Sequence, residues 1–356
     1  MSGEHVQEIK SDQRAELLKN WALQQLPAAA WQWSALAGDA SLRRYFRLHH
    51  ESNNIIAVDA PNTSENNHAF VYIAEALQQC EVKTPKILAK DYDQGFLLIE
   101  DFGNRLLSHD LTAEQVDFWY KKASAELLKM QQARPDHFPT DYLLPEYNRE
   151  RLGAEMNLFH EWFLARYLDY SVTVEERQLL ENTYRYLEDN ALNQPQAFVH
   201  RDYHSRNIMV LASGDSCPTQ MGIIDFQDAV WGPVTYDLVS LLRDCYVKWP
   251  KEKVQAWAID YARAKGLLAE VSEAQWLRWF DGMGLQRHIK VAGIFARLYL
   301  RDHKPGYLAD IPRVLQYIVE VASDDPALAA FVSWLQEKII PCYCAVYPEA
   351  KEWFAP

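Results

Sequence analysis

A short β signal interrupts the helical patterns that fill the last two-thirds of the chain. The apolar runs 208–211 and 221–224 flank the polar turn 213–216, and this arrangement predicts a β-hairpin. The strands of a hairpin are antiparallel, so the residue before the first strand lies next to the residue after the second. We therefore expect Asn207 and Asp225 to lie side by side at one end of the hairpin.

The side chains at this end suit a metal ion that is bound to phosphates. An amide oxygen and a carboxylate are hard oxygen ligands, as Mg²⁺ prefers when a few protein groups and phosphates hold it. Asp202 lies five residues before Asn207, on a loop that leads to the same end, and it suits a base that accepts a hydroxyl proton. Each residue alone is common in surface turns. Together, HxDxxxxN spacing, a hairpin and a following Asp predict a phosphoryl-transfer site.

The first hundred residues combine short strand-like runs with two helical segments, which indicates a small α+β unit. Apolar residues at helical spacing mark the segments 12–26 and 66–80. Strand-like runs stand on both sides of a turn at 38–41 and recur at 54–58, 87–89 and 96–99.

Helical periodicity dominates the chain from about residue 105 to its end. Thr112 with Gln115, and Thr173 with Glu176, have the spacing of a capping box, in which two side chains satisfy backbone N–H groups at a helix start. The pattern predicts helices that begin at both places and a helical region after Asp237. A strand-rich unit followed by a helical one gives the α+β class.

The charge balance limits the class of partner. The chain has 36 Lys and Arg against 49 Asp and Glu, a net charge of −13, so general binding to nucleic acid or anionic membrane is not expected. Five scattered cysteines show no zinc spacing and predict reduced thiols. The first 20 residues contain no apolar run, and no later run approaches the roughly 20 residues of a membrane helix. These features predict a cytoplasmic protein.

The segments HRDYHSRN at 200–207 and IDFQD at 224–228 resemble the catalytic and metal-binding loops of the protein-kinase-like superfamily. The branch that they resemble contains the aminoglycoside and choline phosphotransferases. The resemblance implies a bilobal protein-kinase-like α+β fold, with a small strand-rich N-lobe and a large helical C-lobe. It implies a nucleotide-binding lobe with a leading helix and a hinge at 1–103, and a helical lobe with the catalytic loop and a sugar pocket at 104–356.

The same resemblance implies the cofactors and the roles of several residues. ATP and Mg²⁺ would be used, with Asp202 as the catalytic base and with Asn207 and Asp225 as metal ligands. Backbone groups of Glu100 and Phe102 would contact the adenine edge of the nucleotide.

The segment after Asp225 separates this chain from the protein kinases. Only 11 residues lie between Asp225 and Asp237, and no APE motif is present, whereas a protein kinase carries a longer activation segment there. The small-molecule branch has instead a short bridge that ends in a pair such as Tyr236 and Asp237. We expect Asp237 to be the N-cap of the next helix and to brace the catalytic loop.

One departure from the family pattern concerns the nucleotide phosphates. Family members usually carry a lysine on the third strand of the small lobe, but residues 55–61 contain none. Arg43, Arg44 and Arg47 follow a turn where a phosphate-covering loop would sit, and arginine binds phosphate as a bidentate fork. We take Ser41, Arg43 and Arg44 as candidate nucleotide-binding residues; an exposed basic strand edge is the alternative.

Three longer stretches carry a narrower resemblance. GDASLRRYFRL, VDAP and GLQRHIKVAGIFARLYLRD are similar to the bacterial anomeric kinases of N-acetylmuramate and N-acetylglucosamine, along nearly the whole chain. That group also lacks the third-strand lysine. The resemblance implies ATP-dependent phosphorylation of the C1 hydroxyl of these amino sugars in peptidoglycan recycling.

The sugar pocket is expected between the catalytic loop and the helices that follow it. Sugars are bound by aromatic faces and by a few polar groups. The candidates are Glu155, Trp162, His204, Arg206, Arg287 and His288. A core position is the alternative for each of them, and we expect about two to touch the sugar.

Two other functions stay open at this point. One is a kinase for another hydroxyl compound, such as an aminoglycoside or an amino alcohol. The other is a nucleotide-binding adaptor without turnover. The presence of Asp202, Asn207 and Asp225 argues against the adaptor, whereas the missing lysine argues for it.

Overall fold

The computed structural model describes residues 3–36, 43–61, 66–211 and 220–354. The strands are β1 Gln32–Ala35, β2 Arg44–His50, β3 Asn53–Asp59, β4 Ile87–Asp91, β5 Phe96–Glu100, β6 Gln196–Val199, β7 Ile208–Leu211, β8 Gln220–Ile223 and β9 Val230–Pro233. The α-helices are α1 Gly3–Gln25, α2 Asn67–Gln79, α3 Val116–Met130, α4 Arg149–Leu158, α5 Val174–Leu192, α6 Tyr236–Leu242, α7 Lys251–Ala264, α8 Glu273–Leu300, α9 Ile311–Ser323, α10 Ala329–Trp334 and α11 Ile340–Val346. The π-helical segments are Phe159–Tyr167, after α4, and Leu335–Ile339. The 3₁₀ turns are Leu107–His109, Pro135–His137, Leu267–Ala269, Pro305–Asp310, Pro326–Leu328 and Pro348–Trp353.

The chain divides into two compact units. The strand-rich unit comprises Met1–Leu111, Ala133–Leu143 and Arg206–Asp228, and the helical unit comprises Thr112–Gln132, Leu144–Ser205 and Ala229–Pro356. Residues 206–228 therefore belong to the strand-rich unit. The sequence analysis, which placed the boundary after residue 103, assigned them to the helical lobe. The turn that contains Ser41, the polar turn 213–216 and Cys217 lie outside the described residues.

An antiparallel sheet of β1 to β5 forms the centre of the strand-rich unit, in the order β1-β2-β3-β5-β4. One of its faces packs on α1, where Leu18 and Ala22 meet Leu48 of β2 and Leu98 of β5. Helix α2 begins after Asn66, whose side chain accepts a hydrogen bond from the Ala69 N–H, as an N-cap does. Together with the helical C-terminal half, this sheet confirms the predicted α+β class.

The predicted hairpin is present as β7 and β8, which pair with Ile208 opposite Ile223. Two backbone hydrogen bonds tie it to the strand-rich unit: the Val210 N–H donates to the Arg105 carbonyl over 2.8 Å, and the Ile223 N–H donates to the Lys83 carbonyl over 2.8 Å. These bonds explain why residues 206–228 belong to the strand-rich unit.

The helical unit contains a β ribbon of its own, which the sequence analysis did not predict. Strands β6 and β9 pair antiparallel, with Val199 opposite Val230. Each has four residues, and β9 ends in a Gly-Pro pair that is typical of turns. The expectation of one β signal in this half was therefore wrong, because so short a run shows no readable alternation.

The two predicted capping boxes have different outcomes. Thr173 and Glu176 form the predicted box at the start of α5. The prediction for Thr112 and Gln115 was wrong, because α3 begins only at Val116 and Gln115 makes no side-chain cap. The Thr112 carbonyl instead accepts the N–H groups of Gln115 and Val116 in a turn that precedes the helix.

Helix α8 runs through the core of the helical unit and is buried from residue 282 to residue 293. A Cβ atom at Gly293 would lie 2.3 Å from the Leu158 carbonyl carbon, so glycine permits the close approach of α8 to the end of α4. Within the described part of the chain, no helix has both the length and the apolar character for crossing a bilayer.

Candidate active site

Asn207 and Asp225 lie side by side at the open end of the β7–β8 hairpin, as predicted. The Asn207 side-chain amide donates to Asp225 Oδ2 over 3.2 Å, and the Ile224 N–H donates to the Asn207 carbonyl over 3.2 Å. The Gln227 amide donates to Asp225 Oδ1 over 2.8 Å. Asp225 has a φ of +67°, an uncommon value for a side-chain-bearing residue and one that often marks functional positions.

The donor chemistry of this pair fits Mg²⁺. Asp225 has a carboxylate, and the adjacent Asn207 has an amide oxygen in addition to the Nδ2 that donates to Asp225; Mg²⁺ commonly takes one or two such hard oxygen ligands from protein and completes its shell with water and phosphate. No group of three or more His, Cys, Asp or Glu suited to a metal occurs in the described ranges. The pair therefore fits a metal shared with a phosphate better than a metal held by protein alone.

The predicted adenine contacts are Glu100, the last residue of β5, and Phe102, two residues beyond it. The Glu100 carboxylate receives Lys83 Nζ at 2.6 Å, and the Glu100 N–H donates to the Lys86 carbonyl over 2.9 Å. The Phe102 ring packs on Gly222 of β8, where a Cβ atom would lie 2.5 Å from two ring carbons. The Phe102 ring therefore occupies the space that a side chain at residue 222 would need. This contact with Gly222 restricts the position of Phe102.

The arginines before and in β2 differ in their surroundings. Arg44 Nε donates to Asp59 Oδ2 over 3.0 Å, and Arg47 forms an ion pair with Asp101. Arg43 is only 2% exposed and lies over the Phe70 ring, 5.2 Å from its centroid. Of the predicted nucleotide-binding residues, Ser41 lies outside the described residues.

Strand β3, whose sequence contains no lysine, carries a buried carboxylate. Asp59, the last residue of β3, is fully buried and also accepts from Arg14 Nε of α1 over 2.6 Å. Phe70 of α2, beneath Arg43, packs at 4.9 Å on Phe226, the neighbour of Asp225 in the chain. Arg44 of β2 and Arg14 of α1 thus place two guanidinium groups at the end of β3, a strand that contains no lysine.

Asp202 belongs to the helical unit, on the loop after β6. Its side chain keeps 44% of its accessible surface, and Arg287 Nη1 lies 3.8 Å from Asp202 Oδ1. The surrounding protein raises the pKa of Asp202, but the positive charges of Arg287 and Lys290 outweigh this effect and hold the pKa at about 2. The carboxylate is therefore charged and open to a small molecule at neutral pH.

The backbone before Asp202 rests on the buried Asp237. Its carboxylate accepts the His200 N–H over 2.7 Å and the Arg201 N–H over 3.0 Å. Burial raises the pKa of Asp237 to about 7, and the two N–H donors oppose that rise. The predicted brace is confirmed, but the predicted N-cap is wrong, because Asp237 lies in the first turn of α6 and Thr235 is its N-cap residue.

A second buried carboxylate, which the sequence analysis missed, holds the other side of the loop. Asp244 lies just beyond α6 and accepts the Ser205 N–H over 3.0 Å and the Ser205 hydroxyl over 2.6 Å. It also accepts the Tyr246 N–H over 3.0 Å. Asp237 and Asp244 thus brace the loop on both sides of Asp202 from the two ends of one short helix.

A buried polar cluster, the α8 cluster, joins α4, the loop and α8. Glu155 accepts from Arg201 and from the Tyr147 hydroxyl, and Lys290 Nζ lies 3.1 Å from Glu155 Oε1. Lys290 also donates to the Tyr236 hydroxyl over 3.0 Å. Burial raises the pKa of Glu155, but Lys290 and Arg201 outweigh it and lower the pKa to about 2. The sequence analysis did not single out Lys290, because no local spacing links it to Glu155 or Tyr236.

The other predicted sugar contacts lie in different surroundings. His204 is half-buried and packs edge-on against Tyr246 at 5.6 Å, while Arg206 is exposed. Trp162 is half-buried on the π-helical segment, under the Arg166 guanidinium at 4.0 Å. His288 is fully buried, and its Nε2 lies 3.1 Å from the Arg243 carbonyl.

Comparison with known sequences identifies the relatives of this arrangement. A family model described as "Phosphotransferase enzyme family" matches residues 32–280. The N-acetylmuramate/N-acetylglucosamine kinase of Pseudomonas putida is 39% identical over 321 residues, which cover 89% of this chain and 91% of the relative. The kinase of the same name from Neisseria meningitidis serogroup B is 38% identical over 335 residues, which cover 92% and 96%.

Solved structures show the same fold at low sequence identity. An ADP-bound aminoglycoside phosphotransferase, APH(2'')-Ib, has a TM-score of 0.57 and 14% identity, with 85% of this chain and 98% of that chain covered. This likeness supports the kinase-like fold that the loop motifs indicate.

Proposed function

Since the chain belongs to the phosphotransferase enzyme family, we propose that it uses ATP to phosphorylate the C1 hydroxyl of N-acetylmuramate and N-acetylglucosamine in peptidoglycan recycling. The observation that carries the proposal is the likeness of nearly the whole chain to relatives named as kinases of these two sugars. Asp202, Asn207 and Asp225 are all present, which argues against an adaptor without turnover.

Asp202 is the general base of the proposed reaction. The acceptor O–H bond breaks as its proton passes to the Asp202 carboxylate, and the oxygen bonds to the γ-phosphorus of ATP. The bond from that phosphorus to the bridging oxygen breaks, and ADP leaves. The anomeric hydroxyl is more acidic than an ordinary sugar alcohol and so needs a less strong base, and a pKa of about 2 keeps the Asp202 carboxylate ionised, and able to accept a proton, at neutral pH.

Asn207 and Asp225 are the proposed ligands of Mg²⁺, which when bound neutralises charge on the nucleotide phosphates. The Gln227 amide, 2.8 Å from Asp225 Oδ1, holds the carboxylate in one orientation. The Asn207 amide does the same at Oδ2. Hydrogen bonds within the chain thus hold the Asp225 carboxylate at both of its oxygens.

For the nucleotide, we propose that backbone groups of Glu100 and Phe102 meet the adenine edge. Ser41, Arg43 and Arg44 are the proposed phosphate-binding residues in place of a third-strand lysine. The ion pairs of Glu100 with Lys83 and of Arg44 with Asp59 orient two of these residues. Because the reaction consumes ATP, we propose a cytoplasmic location.

For the sugar, His204 and Arg206 are the contacts that we retain, because they flank Ser205 on the same loop as the base. His204 packs against Tyr246 and is half-buried, and Arg206 is exposed. Glu155, Arg287 and His288 are largely buried within the helical unit, so little of their surface is available to a sugar.

Product analysis tests the proposal. The full chain is incubated with ATP, Mg²⁺ and each sugar, and the product is examined by ³¹P NMR and by a reducing-end assay. We expect phosphate at C1, loss of the reducing end and no reaction with the methyl glycosides, whose C1 oxygen is blocked. Asp202→Asn provides the blank, and Asp93→Asn, in an exposed turn, is the matched control.

Phosphate at C6, or equal turnover of a methyl glycoside, would mean that another hydroxyl is the acceptor. Turnover of an aminoglycoside or an amino alcohol without turnover of either sugar would favour the alternative kinase. Nucleotide binding without transfer to any of these acceptors would favour an adaptor.

A further inference from the structure

The segment GLQRHIK of α8, residues 284–290, is buried along its length yet contains three side chains that carry charge or can acquire it. Gln286, Arg287 and Lys290 contact the α8 cluster, in which Glu155 and Tyr236 are their partners. His288 lies elsewhere, stacked on Tyr317 at 4.7 Å. Burying a charge is costly unless it is paired and hydrogen-bonded, so this segment requires an explanation beyond packing.

Arg287 is the member of this segment that reaches the loop with Asp202. Its Nη1 donates to the Arg201 carbonyl over 3.1 Å and to the Tyr236 hydroxyl over 3.3 Å. The same atom lies 3.8 Å from Asp202 Oδ1, and the side chain is 4% exposed. One guanidinium therefore contacts the backbone immediately before Asp202 and faces its carboxylate.

The geometry points to a specific role for this contact. We propose that Arg287 is a positioning residue, which holds the Asp202 carboxylate in place and in its charged form for the reaction proposed above. Arg287 is a poor sugar contact, because its exposed surface is nearly nil. It acts on the acceptor only through Asp202.

The charges around the pair support this role. Asp202 is faced by Arg201 and His204 from its own loop and by Arg287 and Lys290 from α8. Arg287 is the strongest of the four influences that lower the pKa of Asp202. An opposite charge within about 4–6 Å lowers a carboxyl pKa by roughly 1–3 units.

Side chains other than Asp202 also face Arg287. Tyr236 approaches from α6, and Cys245 from the segment after α6; Asp237 also interacts with it electrostatically. Cys245 carries no charge at neutral pH, since burial raises its pKa to about 12, and the Tyr236 hydroxyl accepts hydrogen bonds from Arg287 and Lys290. Asp202 is thus the nearest charged partner among the described ion pairs of Arg287.

A pH–rate profile tests the proposal. The quantity measured is kcat/KM for the acceptor, between pH 3 and pH 9, for the full chain and for Arg287→Gln and Arg287→Lys. Because the pKa of Asp202 is about 2, the unchanged protein should show no acid limb from this group above pH 4, whereas a rise of about 1–3 units in Arg287→Gln should bring its acid limb into the measured range, with a smaller rise in Arg287→Lys. A purely structural role would lower activity equally at every pH.

Arg297→Gln is the matched control, because it removes a half-buried arginine from the same helix, about 15 Å along its axis. It should keep the profile of the unchanged protein. A folded Arg287→Gln protein with an unmoved acid limb would overturn the proposal, and so would an equal shift in Arg297→Gln.

A direct titration keeps the proposal testable without turnover. The ¹³C carboxyl signal of Asp202, assigned by its loss in Asp202→Asn, should stay at the ionised position down to pH 4. A midpoint at or above the ordinary value, near 3.9, would overturn the proposal. If neither sugar is phosphorylated, the proposed function fails, whereas the same titration of folded Arg287→Gln still tests the role of Arg287, since the Asp202 midpoint should rise by about 1–3 units.

Discussion

The side-chain amide of Asn207 donates a hydrogen bond of 3.2 Å to the carboxylate of Asp225, eighteen positions later in the chain. The β7–β8 hairpin brings the two residues together, because Asn207 precedes its first strand and Asp225 follows its second by two residues. A local turn of the chain thus brings together the two residues that we propose as metal ligands.

We expect Asp225→Ala to abolish phosphoryl transfer and to weaken ATP binding only when Mg²⁺ is present, because the loss concerns the metal and not the nucleotide base. Isothermal titration with and without Mg²⁺ measures this difference. Asp93→Ala, in an exposed turn of the same unit, should bind ATP as the unchanged protein does. Metal-independent binding together with surviving transfer would contradict the assignment of Asp225.

Asp202→Asn keeps the shape of the side chain and removes the proton acceptor. Turnover should fall by about 10²–10⁴, the usual contribution of a general base, and the thermal midpoint should also fall, because the buried Arg287 guanidinium loses the carboxylate that faces it. Steady-state kinetics and thermal unfolding measure the two effects. Near-normal turnover would show that another group accepts the proton.

Gly222→Ala tests whether the Phe102 ring fixes the nucleotide-binding backbone. The new Cβ would lie 2.5 Å from the ring, so the ring and the adjacent backbone must move. We expect KM for ATP to rise several-fold more than KM for the sugar. Gly306→Ala, where nothing lies within 4 Å of the added atom, is the control, and an equal change in both KM values would argue against a nucleotide-specific effect.

Glu155 predicts a pH dependence of stability. Burial raises its pKa, but Lys290 and Arg201 lower it from 4.5 to about 2. Because the folded value lies below the unfolded one, Glu155 adds stability above about pH 4.5, and this part is lost as the pH falls towards 2.

In Glu155→Gln, the free energy of unfolding from urea titrations should therefore fall less steeply between pH 5 and pH 3, from a lower starting value. Glu181→Gln, at an exposed position of α5, should reproduce the slope of the unchanged protein. A steeper slope in Glu155→Gln would contradict the sign of the shift.

Local spacing predicted the hairpin end, because Asn207 and Asp225 are brought together by one turn. The helical face of α2 was also readable, since Phe70, Ile73 and Leu77 recur at helical intervals and are all buried. In both cases the pattern lies within about 20 residues.

The support of the Asp202 loop was only partly predictable. Asp237 was found as a brace through its family pattern, but Asp244 carries no spacing signal, because its partner Ser205 is 39 positions away. Lys290 and Arg287 pair with residues 51 to 135 positions distant. Such pairings depend on how α8 packs, which the residue pattern of the helix does not specify.

The buried Asp59 has an evolutionary consequence. It neutralises Arg14 and Arg44, on the strand where family members usually carry a lysine. A lysine that replaced Asp59 would leave both arginines without their acid and would put three cations together. A lysine at position 59 would therefore be unfavourable unless both arginines changed with it, so we expect these three positions to vary together among relatives.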